Sequence, residues 1–109
     1  MIPVVIKKPR AIQDLTDHFT YIGERNAQAA ERFLVAAERA FTQLARFPLM
    51  GRRWKSTSLR LARIRSWSIP KFNNYLVFYQ PMHNGIEVLH DFHARRNIES
   101  ILESEEAEE

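Results

Sequence analysis

Cysteine is absent from this 109-residue chain, which excludes disulfides and thiolate metal sites and fits a reducing compartment. Glycine is scarce at three residues, and the chain has neither a phosphate-cradling glycine loop nor a dinucleotide fingerprint. No glycine-flanked serine elbow is present either, so there is no motif for Ser-His-Asp hydrolysis. No apolar stretch approaches the length of a membrane span. The opening Met1-Ile2-Pro3-Val4-Val5-Ile6-Lys7-Lys8 carries its charges after a short apolar run, the reverse of a secretory signal. These absences lead us to expect a cytoplasmic protein without membrane contact. The most informative absence concerns one sign of charge. Between Glu38 and Glu87 there is no aspartate or glutamate, while Arg39, Arg46, Arg52, Arg53, Lys55, Arg60, Arg63, Arg65 and Lys71 run through that stretch. Uncompensated positive charge repels itself, so the stretch points to an acidic partner, either nucleic acid or an acidic protein segment.

What is present divides unevenly. Six glutamates stand in the last eleven residues (Glu99, Glu103, Glu105, Glu106, Glu108, Glu109), so the net charge of +3 combines a body of about +9 with an acidic segment. A chain of this size buries roughly two-thirds of its unfolded surface, enough for one core. We expect one folded domain over residues 1–102 and a disordered acidic tail over 103–109, which also offers itself as a mask for the basic face.

Periodicity orders the body as α+β. Val4-Val5-Ile6 reads as a short first strand closed by Lys7-Lys8-Pro9. From Ala11 the period becomes helical, with Ile12, Leu15, Phe19 and Ile22 on one face and Gly23 as the expected stop. Asn26 is the expected N-cap of a second, longer helix whose stripe Ala30, Phe33, Leu34, Ala37, Phe41, Leu44 and Phe47 ends before Pro48. An antiparallel helix hairpin packed on a sheet follows, with Phe33 and Phe41 as core anchors. Three further strands are expected over Arg60 to Trp67, Asn74 to Gln80 and Ile86 to His93. Short connections, one of them a hairpin loop over residues 81–85 with Asn84-Gly85 at its tip, make these strands antiparallel. Alternation in the first of them puts Ala62 and Ile64 beneath the helices and Leu61, Arg63, Arg65 and Trp67 on the opposite face. A last short helix is expected over Ala94 to Leu102.

Several chemistries can be weighed from these residues. Guanidinium groups suit phosphate or carboxylate, and Trp67, Tyr75 or Tyr79 beside them suit stacking on unpaired bases. Ribonuclease chemistry requires an acid or base, for which Tyr79, His90 or His93 qualify, and a phosphate holder such as Arg63, Arg65 or Arg96. That inventory is common to basic sheet proteins. His90 and His93 make a poor metal pair, because residues three apart on a strand face opposite ways. His90 aligns with Ile86, Val88 and Phe92, so it is expected in the core or at its boundary. No metal and no cofactor is expected.

The ordered series of motifs adds to this. Pro9-Arg10-Ala11, Asp14-Leu15 and Tyr21-Ile22 come first, then Ala30-Glu31-Arg32-Phe33 and Phe47-Pro48-Leu49-Met50-Gly51. Ile64-Arg65-Ser66-Trp67, Asn74-Tyr75-Leu76-Val77-Phe78-Tyr79, Gly85-Ile86-Glu87-Val88-Leu89 and His93-Ala94-Arg95-Arg96-Asn97-Ile98 follow. From about Val4 to Leu102 the chain resembles ParE toxins of the RelE/ParE superfamily, the plasmid-stabilisation type of type II toxin–antitoxin systems. The resemblance implies a helix hairpin on a curved antiparallel sheet. It also implies a cognate antitoxin as partner, with operator DNA reached only through that antitoxin. Growth inhibition by non-enzymatic poisoning of DNA gyrase is the implied activity. The alternatives are a RelE-like ribosome-dependent mRNA endoribonuclease using Arg65, Tyr79, His93 and Arg96, or a detoxified partner acting only in an autorepressor complex. On this basis Arg63, Arg65, Trp67, Tyr79, His93 and Arg96 are the expected target-binding residues, and Arg52, Arg53, Trp54, Arg60 and Tyr75 the expected antitoxin-binding ones. Asn97 stands where many relatives carry aspartate, which bears on whether this copy is active.

Overall fold

Two helices lie on one face of a five-stranded sheet in a computed structural model that describes residues 2–54, 59 and 61–93. The final helix expected over Ala94 to Leu102 and the acidic tail lie outside the described residues, as do Lys55, Arg60 and Arg96.

The first strand, β1 (Val4–Lys7), gives way at once to helix α1 (Pro9–Arg25). Proline opens α1 because its fixed φ suits the first turn and its missing N–H is not needed there, while it holds Lys8 extended. Gly23 is not the stop. The helix passes through it and ends at Asn26, whose side chain accepts a hydrogen bond from the Ala29 N–H at 3.0 Å and so caps helix α2 (Ala27–Arg46). One residue thus closes α1 and opens α2, which makes the helix hairpin tight. The buried stripe of α1 is Ala11 and Leu15, with half-buried His18 and Ile22, whereas Ile12 and Phe19 are exposed. The expected stripe is therefore rotated by one position.

The sheet order is β1-β5-β4-β3-β2, with β2 (Arg52–Arg53), β3 (Arg65–Ile69), β4 (Phe72–Met82) and β5 (Gly85–His93) mutually antiparallel. Only β1 departs from that pattern. It runs parallel to β5, pairing Val4 with Gly85 through Lys7 with Val88, so the sheet is mixed rather than wholly antiparallel. The β4–β5 turn is His83–Asn84, and Gly85 already belongs to β5. A side chain at Gly85 would collide with the Val4 backbone, which is why β1 can approach there.

The centre of the core is made by Phe33, Ala37, Phe41 and Leu44 of α2 against Val77, Tyr79, Ile86 and Val88. Phe47, expected on the same stripe, lies past the end of α2 and is exposed. A smaller cluster of Leu61, Ile64 and Phe78, joined by Trp54, Leu76 and Leu89, covers the opposite face. Arg60 to Trp67 is not one strand. Leu61–Arg63 forms a 3₁₀ turn, and β3 begins at Arg65. Because Arg65 and Trp67 pair with Tyr79 and Val77, they share the helix-facing side. Ile64 packs on the other side with Phe78. The expected faces are therefore inverted for Ile64, Arg65 and Trp67, while Leu61 lies on the face expected for it.

Candidate functional site

The turn that follows α2 is held by two side chains from the sheet. Tyr79 is completely buried, and its hydroxyl accepts from the Gly51 N–H at 2.9 Å while donating to the Pro48 carbonyl at 2.7 Å. Opposite it on β3, the half-buried Arg65 donates to the carbonyls of Gly51 at 2.8 Å and Leu49 at 3.2 Å. Gly51 has to be glycine, since an added Cβ would fall 2.7 Å from the Tyr79 ring at Cε1. Burial pushes the Tyr79 phenol above its ordinary pKa, opposed by the Gly51 N–H and the Arg65 guanidinium. A neutral phenol with its donor and acceptor both engaged serves as a fastening.

This fastening aims the next residues outward along the sheet edge. Arg52 and Arg53 form β2 against Ser66 and Arg65, and both are exposed. Trp54 folds under them, its backbone N–H donating to the Ile64 carbonyl at 2.8 Å and its ring edge-on to Phe78 at 5.5 Å. Between them runs an open groove lined by Met50, Arg52, Arg53, Trp54, Ser66, Trp67, Ser68 and Leu76. It contains two arginines and two indoles but no carboxylate. The indole nitrogens of Trp54 and Trp67 are shielded from water and have no acceptor among the described residues.

A second polar cluster lies where α1 crosses β5. The β4–β5 register shifts between Phe78, paired with His90, and Tyr79, paired with Val88, leaving Leu89 as an extra residue. The bulge changes the phase of the strand, so that Asp91 pairs with Val77 and is almost completely buried. Past the end of β1, side chains of α1 serve the exposed edge of β5. Asp14 accepts from the Asp91 N–H at 3.2 Å and lies 3.2 Å from His90 Nδ1. His18 Nε2 lies 2.7 Å from the Asp91 carbonyl, so that nitrogen carries a proton. Neither Asp91 carboxylate oxygen has a hydrogen-bond partner among the described residues, although His18 Nε2 stands 3.8 Å from one. Burial, helped by the Asp14 carboxylate, pushes the Asp91 acid up to about 8. Among the described residues no cluster of three or more ligand side chains is arranged to hold a metal.

The sequence-derived site residues therefore separate. Arg52, Arg53, Trp54, Arg65 and Trp67 gather at the β2–β3 edge, with Arg63 exposed on the preceding 3₁₀ turn. Tyr75 and His93 pair at the other end of β4, their rings 5.0 Å apart. Tyr75 is buried against Phe33 and His18, so neither it nor Tyr79 presents a surface to a partner. Burial pushes the Tyr75 phenol up as well, reinforced by Tyr21 and Asp91 and opposed by Arg25. His18 and Asp91 belong to none of the motifs read from sequence, and Asp14 enters there only within Asp14-Leu15 and not as a site residue. His18 alone carries a sign of its place, at the spacing of Ala11, Leu15 and Ile22.

The profile of the family described as "ParE toxin of type II toxin-antitoxin system, parDE" matches residues 5–98. Among solved structures the chain is similar to one from the "Chromosomal ParDE TA system from P. aeruginosa". The TM-score is 0.69 at 10% identity, covering 86% of this chain and 98% of that one, a likeness of fold. No curated protein matches the sequence.

Two outcomes are expected from this geometry. Tyr79→Phe leaves the Gly51 N–H and Pro48 carbonyl without their partner and should cost about 1–3 kcal/mol in chemical denaturation. A loss below about 0.5 kcal/mol would contradict the fastening role. For Asp91, the folded state retains a proton that the unfolded state loses near its ordinary pKa of 3.8. Its stabilising contribution is thus full below that value and falls as pH rises toward about 8, by at most about 1.4 kcal/mol per pH unit. The stability of the native chain minus that of Asp91→Asn should decline from pH 5 to pH 8 and level off above, the variant leaving Asp14, His18 and His90 in place. A difference that is flat or rises over that range would contradict it.

Proposed function

The chain belongs to the ParE toxin family of type II toxin–antitoxin systems, and from that premise we propose that it inhibits DNA gyrase and is neutralised by a cognate antitoxin seated on the β2–β3 edge. The observation that carries this reading is the groove of Arg52, Arg53, Trp54 and Trp67, which no carboxylate lines. Guanidinium groups pair bidentately with carboxylates, and their long-range field speeds the encounter with an acidic segment. The apolar floor of Met50, Trp67 and Leu76 then gives buried side chains of that segment a place to lodge. A two-residue edge strand leaves little of the sheet margin occupied, which suits an extended peptide laid beside it. Operator DNA is reached through the antitoxin, in the cytoplasm, and gyrase meets the exposed Arg63 and the half-buried Trp67.

Inhibition by binding is favoured over cleavage by where the reactive groups lie. Of the residues invoked for a ribonuclease, Tyr79 has its hydroxyl committed to Gly51 and Pro48, and Arg65 has its guanidinium committed to Leu49 and Gly51. His93 stands at the Tyr75 end of β4, four residues and about 13 Å along the strand from Tyr79. These groups do not converge on one phosphate.

Inducing the protein without antitoxin should stop thymidine incorporation within minutes, before methionine incorporation falls. Early loss of methionine incorporation would replace gyrase with the ribosome as target, and no effect on either would leave only the autorepressor role. In the same cells, Arg52→Glu with Arg53→Glu should weaken antitoxin rescue, and in vitro lower antitoxin affinity at least about tenfold, since both charges are reversed at the contact. Unchanged affinity would remove the edge from the antitoxin site.

A further inference from the structure

The solvent face of α2 carries a feature that the toxin assignment does not use. Arg32, Arg39 and Arg46 recur every seven residues and all three are exposed, forming one stripe along the helix. None of them makes an ion pair or hydrogen bond with another described residue. The nearby carboxylates do little to neutralise them, because Glu38 is taken by Lys7 at 2.6 Å, leaving Glu31. Beside the stripe runs a groove in which Arg32, Arg39 and Lys71 stand with Val35, Pro70 and Phe72 and with a single carboxylate, Glu31. Val35 is 51% exposed there, an unusual place for a β-branched apolar side chain on a helix.

We propose that the glutamate-rich segment of this same chain, residues 103–109, docks along the α2 arginine stripe and screens it. Charge is the first argument. Glu103, Glu105, Glu106, Glu108 and Glu109 are opposite in sign to the three arginines and Lys71, beside which the described body sets Glu31, Glu38 being paired with Lys7. The point of departure is the second. The described chain ends at His93, whose ring packs on Tyr75, and Tyr75 packs on Phe33 next to Arg32 in sequence. Residues 94–102 would span about 14 Å as the expected helix and at most about 30 Å when extended, so in either form residue 103 can start from the Arg32 end of α2. Length is the third. From Arg32 to Arg46 the helix rises about 21 Å, and seven extended residues cover about 23 Å. Tethering also raises the local concentration of the segment to the millimolar range, so weak exposed ion pairs suffice to populate the docked state. Because α2 and the β2–β3 edge are different surfaces, the inference stands apart from the antitoxin site.

The absence of native cysteine allows a single nitroxide label to be placed through Ala107→Cys. Paramagnetic broadening in the full chain should fall on the α2 amides between Arg32 and Arg46, and should vanish near 1 M salt, where the screening length is about 3 Å. Replacing the five glutamates by glutamine, with the label kept, should abolish the broadening while leaving the remaining spectrum in place. Broadening centred on Arg52 to Trp54, no broadening at all, or broadening that persists in the glutamine variant would each overturn the proposal. So would transfer of the broadening to an unlabelled, isotope-enriched copy mixed with the labelled chain, which would make the contact intermolecular.

Discussion

The hydroxyl of Tyr79 is the contact on which the presentation of the basic edge depends. It reaches from the middle of the central strand to the turn leaving α2, where it both accepts and donates a backbone hydrogen bond. A buried polar group with both roles satisfied is rigid, because losing either partner leaves an unpaired donor or acceptor out of water. Arg65 adds two more bonds to the same turn from the neighbouring strand. The consequence is directional. With Pro48 to Gly51 fixed, Arg52 and Arg53 must leave along the sheet margin and Trp54 must fold beneath, against Phe78. The arginine nearest the core is thus spent on architecture, and the arginines beyond it are free to meet a partner.

At the opposite side of the sheet the helices do the work of a missing strand. β1 covers β5 only as far as Val88, and beyond it Asp14 and His18 bond the N–H and carbonyl of Asp91. The single extra residue Leu89 makes this possible by turning Asp91 toward α1. A nearly dry carboxyl is the by-product, with a proton held up to about 8. Bulges beside sheet edges often re-aim a side chain in this way. Here the backbone N–H and carbonyl of the re-aimed residue tie α1 to the sheet at a point where strand pairing has run out.

Much of this architecture is written in local pattern. Asn26 between two apolar stripes marks the helix hairpin, and the two-faced apolar run from Asn74 to Gln80 marks a central strand. What escapes is what depends on phase. One unpaired residue at Leu89 reverses the alternation after it, and nothing about leucine announces a bulge. The same holds at Arg60 to Trp67, where a 3₁₀ turn at Leu61–Arg63 resets the count, so that Arg65 and Trp67 emerge on the helix side. The basic groove was legible as composition, because a missing charge sign needs no geometry. Its members Arg52, Arg53, Trp54 and Trp67 could be named, but Tyr75 and Tyr79 could not be told from surface aromatics, since tyrosine is at home in either setting.

The central claim, that an acidic antitoxin segment lies along the β2–β3 edge, is tested most directly by amide hydrogen exchange on the toxin alone and in complex with its antitoxin. The account predicts new protection at Arg52 to Trp54 and at Trp67 to Ser68, with the turn at Gly51 already protected in the free protein by its bond to Tyr79. Unchanged exchange along that edge, with new protection confined to α1 or to the β4–β5 turn, would contradict it.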